Sequence, residues 1–198
     1  MTDTDRENLD RTLPNSAATV LLAGPPTDRL RSVCTALSGA DPATDILFVT
    51  YTRTPSDCLE QVADEDVGDV IVIVVGDTAP SLDDESVTTR HVTAPADLTR
   101  LGIEIGEVLE EREQVNLCFD SVTTTLQYVE YPDIYEFLHA ILGQIRAGDA
   151  RAHVHINPVA HDDQVLAGLT TLFDARVDLE GEELSVRARP LAGDTRNT

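Results

Sequence analysis

Residues 17–38 read AATVLLAGPPTDRLRSVCTALS, and this stretch decides the fold. Its first seven residues are a continuous apolar run, which predicts a buried strand. Gly24, Pro25 and Pro26 predict a turn. Beyond it Leu30, Val33, Cys34 and Leu37 recur at helical spacing, with Thr27 or Asp28 placed to cap the helix. A buried strand, a turn and an amphipathic helix are the unit from which α/β domains are built.

The alternation continues along the chain. Residues 46–51 predict a second strand, and Thr54-Pro55-Ser56-Asp57 opens a short helix through Val62 with proline at its first position. Residues 70–75, VIVIVV, are continuously apolar, as suits a central strand covered on both faces. A loop at 77–85 and a short strand at 89–92 lead to a helix capped by Asp97 and striped by Leu98, Leu101, Ile105, Val108 and Leu109. Residues 115–119, VNLCF, predict a buried strand ending at Asp120-Ser121. Asp133 stands where it could cap the next helix, striped by Ile134, Phe137, Leu138, Ile141, Leu142 and Ile145. A strand at 152–156 and a helix at 162–173 follow. Residues 175–179 and 184–189, joined by Glu180-Gly181-Glu182, predict a β-hairpin. The pattern predicts an α/β three-layer sandwich: a mainly parallel sheet, helices on both faces and a C-terminal antiparallel hairpin. One domain at 16–190 is expected between disordered tails, an acidic one at 1–15 and another at 191–198.

All fourteen basic residues are arginine and there is no lysine; thirty-six acidic residues leave a net charge of −22. Molar salt shortens the Debye length to about 3 Å and screens such self-repulsion. The composition therefore predicts a cytoplasmic protein of a salt-accumulating cell, a haloarchaeon. Hydrophobic residues make up 41% and come in clean runs, so the main body is expected to fold. Nucleic acids and anionic membranes would be repelled, and no basic run opposes that. No apolar stretch approaches a membrane span, and the acidic N-terminus is unlike a signal peptide. Cys34, Cys58 and Cys118 form no CxxC pair, and their odd number argues against a disulfide framework.

The first strand-turn-helix is where a phosphate loop of the form GxxxxGK[ST] would lie. Gly24 supplies its first glycine, but Arg29, Leu30 and Arg31 stand at the second glycine, the lysine and the hydroxyl. Pro25 and Pro26 offer no N–H to an anion, and Asp28 would repel one. The residues favour a structural turn over a nucleotide site. Asp120 could hold Mg²⁺ at the end of its strand. Without a phosphate site, Asp120 and Ser121 read more readily as a helix cap.

The strand VNLCFDS, with the helices and returning strand after it, resembles the second half of RecA/KaiC-like ATPase domains. YTRTPSDCLEQV is similar to their second strand and helix, with Thr52-Arg53-Thr54-Pro55 in place of a glutamate-rich motif. TAPADLTRLGIEIGEVLEE and NPVAHDDQVLAGLTTLFDARVDLEG look like a group of uncharacterised haloarchaeal proteins related to KaiC and RecA. The resemblance spans about residues 16–190 and implies a RecA-like fold. Gly24 and Asp120 alone match the ATPase site, so it implies a catalytically degenerate domain. Such a domain would work by binding another protein, either itself or an ATPase relative. The alternative is a nucleotide-binding switch or weak ATPase using Gly24, Asp120 and Ser121, with Arg29 or Arg31 replacing the lysine.

His153, His155, His161, Asp162 and Asp163 are the densest group of metal-ligand types. On a strand His153 and His155 share a face, and His161 with Asp162 opens the next helix, so a divalent metal could be gathered there. The same residues read more readily as partners of backbone groups and as a cap for the next helix. No cofactor is otherwise expected. Cys118, inside an apolar strand, reads as an inert core residue. No GxSxG elbow accompanies Ser121, which leaves no sign of nucleophilic catalysis.

Overall fold

The computed structural model describes residues 9, 11–39, 41–76, 87–181 and 183–189. Their strands are β1 (Thr19–Ala23), β2 (Asp45–Thr50), β3 (Val70–Val75), β4 (Val87–Val92), β5 (Val115–Asp120), β6 (Ala150–Ile156), β7 (Ala175–Glu180) and β8 (Glu183–Ala188). They form one sheet in the order β4-β3-β2-β5-β6-β1-β7-β8. Every neighbouring pair is parallel except the β7–β8 hairpin. The helices are α1 (Asp28–Ser38), α2 (Pro55–Gln61), α3 (Leu98–Glu111), α4 (Val122–Thr125), α5 (Tyr131–Ala147) and α6 (Asp163–Thr170).

Alternation along the strands divides the interior in two. Leu21, Leu47, Val49, Ile71, Phe119, Val154 and Ile156 face α3 and α5 through Leu101, Ile105, Ile134, Leu138 and Leu142. Val20, Leu22, Ile46, Phe48, Val72, Cys118 and Val177 face α1 and α2 through Leu30, Val33, Cys34 and Cys58. This is the expected three-layer arrangement. VIVIVV is covered on both faces, but it lies one place in from the edge strand β4 rather than at the centre.

Local chemistry sets the helix ends. Thr27 Oγ1 accepts from Leu30 N to start α1, and Gly39, at φ 80°, ends it in a conformation that favours glycine. Asn116 Nδ2, from β5, donates to the Leu37 and Ser38 carbonyls at 2.9 and 3.0 Å and ties that end to the sheet. Thr54 and Asp57 form a reciprocal capping box on α2. Asp133 does not cap α5; the helix begins earlier at Tyr131, with Pro132 in the first turn and Asp133 beside the positive end of the dipole.

Of the expected N-terminal tail, Leu9 is buried in the core beside α1 and Leu13 packs against that core. Residues 1–8, the loop expected at 77–85 and the tail at 191–198 lie outside the described residues. No helix among the described residues is long and apolar enough to cross a membrane.

Candidate functional site

The C-terminal ends of parallel strands are where α/β sheets hold ligands. Gly24 leaves β1 there, and its N–H donates to the Ile156 carbonyl of β6 at 3.0 Å. A Cβ on Gly24 would meet Leu30 Cδ1 at 3.0 Å and Leu179 Cβ at 3.1 Å. Leu30, at the lysine position of a phosphate loop, is only 5% exposed. Its side chain closes against Gly24, inside the core. Around it Asp28 pairs with Arg31, and the Arg29 guanidinium donates to the Gly181 carbonyl. A polar cleft of about 310 Å³ between α1 and α2 holds Arg31 and Arg53 together with Asp28, Asp57 and Glu60. Arg53 is committed within it, donating to Gln61 Oε1 and the Asp57 carbonyl, both at 2.6 Å.

Asp120 ends β5, two strand spacings from β1, or about 10 Å across the sheet. The Asp120–Ser121 peptide is cis. Ser121 caps α4, its Oγ accepting from Thr124 N at 3.3 Å. Asp120 Oδ1 lies 3.5 Å from His155 Nδ1 on the intervening strand β6.

Beneath that pair lies a buried cluster. Cys34 from α1, Cys118 from β5 and His153 and His155 from β6 place one ligand atom each within 4.8 Å of all the others. Cys34 Sγ is 3.2 Å from Cys118 Sγ and 3.0 Å from His153 Nε2. Cys118 Sγ is 3.7 Å from His155 Nε2. Gln61 Nε2 donates to Cys34 Sγ at 3.1 Å, and His153 Nδ1 is buried with no hydrogen-bond partner. Burial pushes the Cys34 thiol up, but the hydrogen bond from Cys118 and the charges of His153 and His155 outweigh it and hold Cys34 well below the usual range. Cys118 is driven the opposite way by burial and by its contact with Cys34. Burial alone would depress His155; the Cys34 charge and Asp120 raise it to about 10. Two sulfurs and two imidazoles thus face one another in the core, chemistry that suits a soft divalent metal or a thiol–imidazole pair.

The structure brings together only part of the metal group expected from sequence. His153 and His155 share the face, but His161 and Asp162 are elsewhere. The Pro158–Ala160 turn carries His161 to α4, where its Nε2 lies 2.9 Å from Thr123 Oγ1. Burial lowers that imidazole, against the opposing charge of Asp162. Asp162 caps α6 by accepting from Val165 N at 2.8 Å, and Asp163 sits in its first turn. Their places are taken by Cys34 and Cys118, which sequence reading missed. Cys118 was expected to be inert core; it is core, but it faces a second thiol and two imidazoles. The one sequence signal was the His-x-His alternation on a strand with free cysteines elsewhere in the chain.

The architecture has known counterparts. A protein from Pyrococcus horikoshii OT3, solved in a structural study, superposes with a TM-score of 0.61 at 8% identity, covering 94% of this chain and 93% of that one. A KaiC-like protein from the same hyperthermophilic archaeon gives 0.56 at 12% identity, covering 93% and 83%. The flagellar accessory protein FlaH from Methanocaldococcus jannaschii gives 0.53 at 12% identity, covering 93% and 81%. These likenesses establish a RecA-like α/β fold. No curated protein matches the chain in sequence. Residues 17–179 match a family of unknown function, DUF7504.

Proposed function

This chain belongs to the family of unknown function DUF7504, and we propose that it is a RecA/KaiC-like domain that has lost nucleotide hydrolysis and acts by binding another protein. Its setting is the salt-rich cytoplasm of a haloarchaeon, in keeping with a net charge of −22 and no lysine. One observation carries the reading: Leu30 is buried against Gly24 where a phosphate loop would present its lysine. A loop that wraps phosphates must hold its backbone N–H groups open to them. Here Gly24 N donates to Ile156, Leu30 N donates to Thr27 Oγ1, and two prolines have no N–H to offer. Arg29 and Arg31, the candidate substitutes for the lysine, are each committed to a partner within the protein. Asp28, Asp57 and Glu60 make the adjoining cleft unfavourable for a polyphosphate. A domain whose catalytic turn has become core keeps its surfaces, and RecA-like surfaces lend themselves to side-by-side assembly. A second copy or an intact RecA-like ATPase is the proposed partner.

Calorimetric titration with ATP and GTP, with Mg²⁺ in molar KCl, tests the loss of nucleotide binding. No heat of binding is expected; micromolar, Mg²⁺-dependent binding would restore the switch reading. Sedimentation in the same buffer, alone and after affinity purification from the native cell, tests the partner. A protein that stays monomeric and co-purifies with no RecA-like chain would remove the interaction role.

A further inference from the structure

We propose that Cys34, Cys118, His153 and His155 form a closed tetrahedral site for one divalent ion of the zinc class, pinning α1 to β5 and β6. The inference is independent of the nucleotide reading above. It rests first on placement. In the parallel register Cys118 is the direct neighbour of His153, and His155 follows two residues on, on the same face. Cys34 reaches down from the helix that covers that face. Three separate elements thus deliver four ligand atoms to one point in the core.

The dimensions fit. With metal–sulfur bonds near 2.3 Å and metal–nitrogen bonds near 2.0–2.1 Å, tetrahedral ligands stand about 3.3–3.8 Å apart. Three of the six ligand–ligand separations are 3.2, 3.0 and 3.7 Å, and every pair lies within 4.8 Å. Side-chain adjustments of up to about an ångström bring every pair into that range. At His155 and Cys34 the surrounding shell also matches a metal centre, while His153 Nδ1 has no partner among the described residues. Asp120 lies against His155 Nδ1, which leaves His155 Nε2 turned toward Cys118. Gln61 donates to Cys34 Sγ, as a thiolate ligand requires. Carboxylate–histidine and amide–thiolate contacts of this kind orient ligands and fix their protonation.

Charge explains why such a site can be buried. Two thiolates, two neutral imidazoles and a dication sum to zero, so the filled centre carries no net charge into the core. Sulfur and imidazole donors select zinc-class ions over Mg²⁺ or Ca²⁺, which take oxygen. All four positions are filled by protein, so the ion is structural and holds no reactive water. Its effect is to lock the helix that leads away from Gly24 onto the strand that carries Asp120.

The test is metal content. The full chain, supplied with excess Zn²⁺ in molar KCl and then gel-filtered, is expected to keep about one zinc per chain. Cys34→Ser and Cys118→Ser should each reduce this at least about tenfold, while Cys58→Ala and His161→Asn keep it. If the serine variants fail to fold, the wild-type chain loaded with Co²⁺ decides. Thiolate-to-cobalt charge-transfer absorption with intense tetrahedral d–d bands supports the site, and their absence overturns it. Folded protein that retains no zinc overturns it, as does zinc that survives loss of the cysteines. A Cys34–Cys118 disulfide in freshly purified protein also overturns it, since the two sulfurs would then be a redox pair.

Discussion

Leu30 closes on Gly24 so tightly that a methyl group at residue 24 would come within 3.0 Å of its Cδ1 and 3.1 Å of Leu179 Cβ. Gly24→Ala should therefore destabilise the fold by about 1–3 kcal/mol, the usual cost of overpacking. Leu30→Lys, which restores the phosphate-loop residue, should not restore nucleotide binding. It buries an ammonium group at a site that is only 5% exposed, so the substitution should lower stability by several kcal/mol. Denaturant unfolding and ATP titration of the two variants check this. A stable Leu30→Lys protein that binds ATP would show the turn to be a dormant site rather than core.

A second expectation concerns Asp174, which joins three elements near the start of β1. Its Oδ2 accepts from Ala18 N at 3.1 Å, Thr19 N at 2.9 Å and Thr19 Oγ1 at 2.9 Å, and its Oδ1 from Arg146 Nε at 3.1 Å. Asp174→Ala would strand buried donors and remove the counter-charge of Arg146 at once. A loss of about 1–3 kcal/mol is expected, the cost of leaving buried donors unsatisfied, since the Arg146 side chain is 36% exposed and can turn to water. Asp174→Asn retains an acceptor and should lose roughly half as much. Equal losses for the two variants, measured in denaturant, would show that the hydrogen-bonding geometry adds nothing beyond the charge.

The contrast between β1 and the cysteine–histidine cluster shows what the sequence could disclose. Strands buried on both faces announce themselves as apolar runs, and Thr27, Thr54 and Asp97 stand at their helix starts, so these elements were legible. Each is specified by residues adjacent in the chain. The order of the strands is not, because it depends on which crossover each helix takes. The cluster is hidden for the same reason. Cys34 counts as one apolar member of the α1 stripe and Cys118 as one residue of VNLCF; the pairing of β5 with β6 sets Cys118 beside His153, and the packing of α1 on that face brings Cys34 to them. His161 misled because it is near His155 in sequence; the turn at Pro158–Ala160 takes it to α4.

The capping box on α2 supplies a pH dependence of known sign. The Thr54 backbone N–H and then the Thr54 hydroxyl hold the Asp57 carboxyl below its ordinary value of 3.8. A group depressed on folding contributes stability above its unfolded pKa and loses it as pH falls through the folded one. Asp57 is exposed, so the effect is that of a surface cap, about 0.5–1 kcal/mol. Asp57→Asn should be less stable than wild type at pH 7. The gap should hold down to about pH 4 and narrow in more acid solution. A gap that stays constant through acid unfolding would assign the effect to packing instead.

Salt should act with opposite sign on two sets of charges, and the composition decides which prevails. Specific pairs such as Arg90 with Glu104, Glu107 and Glu111, at 3.1, 2.7 and 2.8 Å, are attractive, and salt weakens them. Fourteen arginines cannot neutralise thirty-six carboxylates pairwise, so a surplus of 22 negative charges repel one another whatever the pairing. Salt weakens that repulsion as well. The Arg90–Glu104 pair is protected, because the Glu104 side chain is only 7% exposed, while the surplus lies in solvent where screening is strongest. Repulsion therefore loses more than attraction. The melting temperature should rise steadily as KCl goes from about 0.1 M, where the Debye length is about 10 Å, to molar concentrations, where it is about 3 Å. Thermal unfolding across a KCl series measures it directly. A flat or falling curve would mean that the arginine pairs outweigh the surplus and would remove the basis for placing the protein in a salt-rich cell.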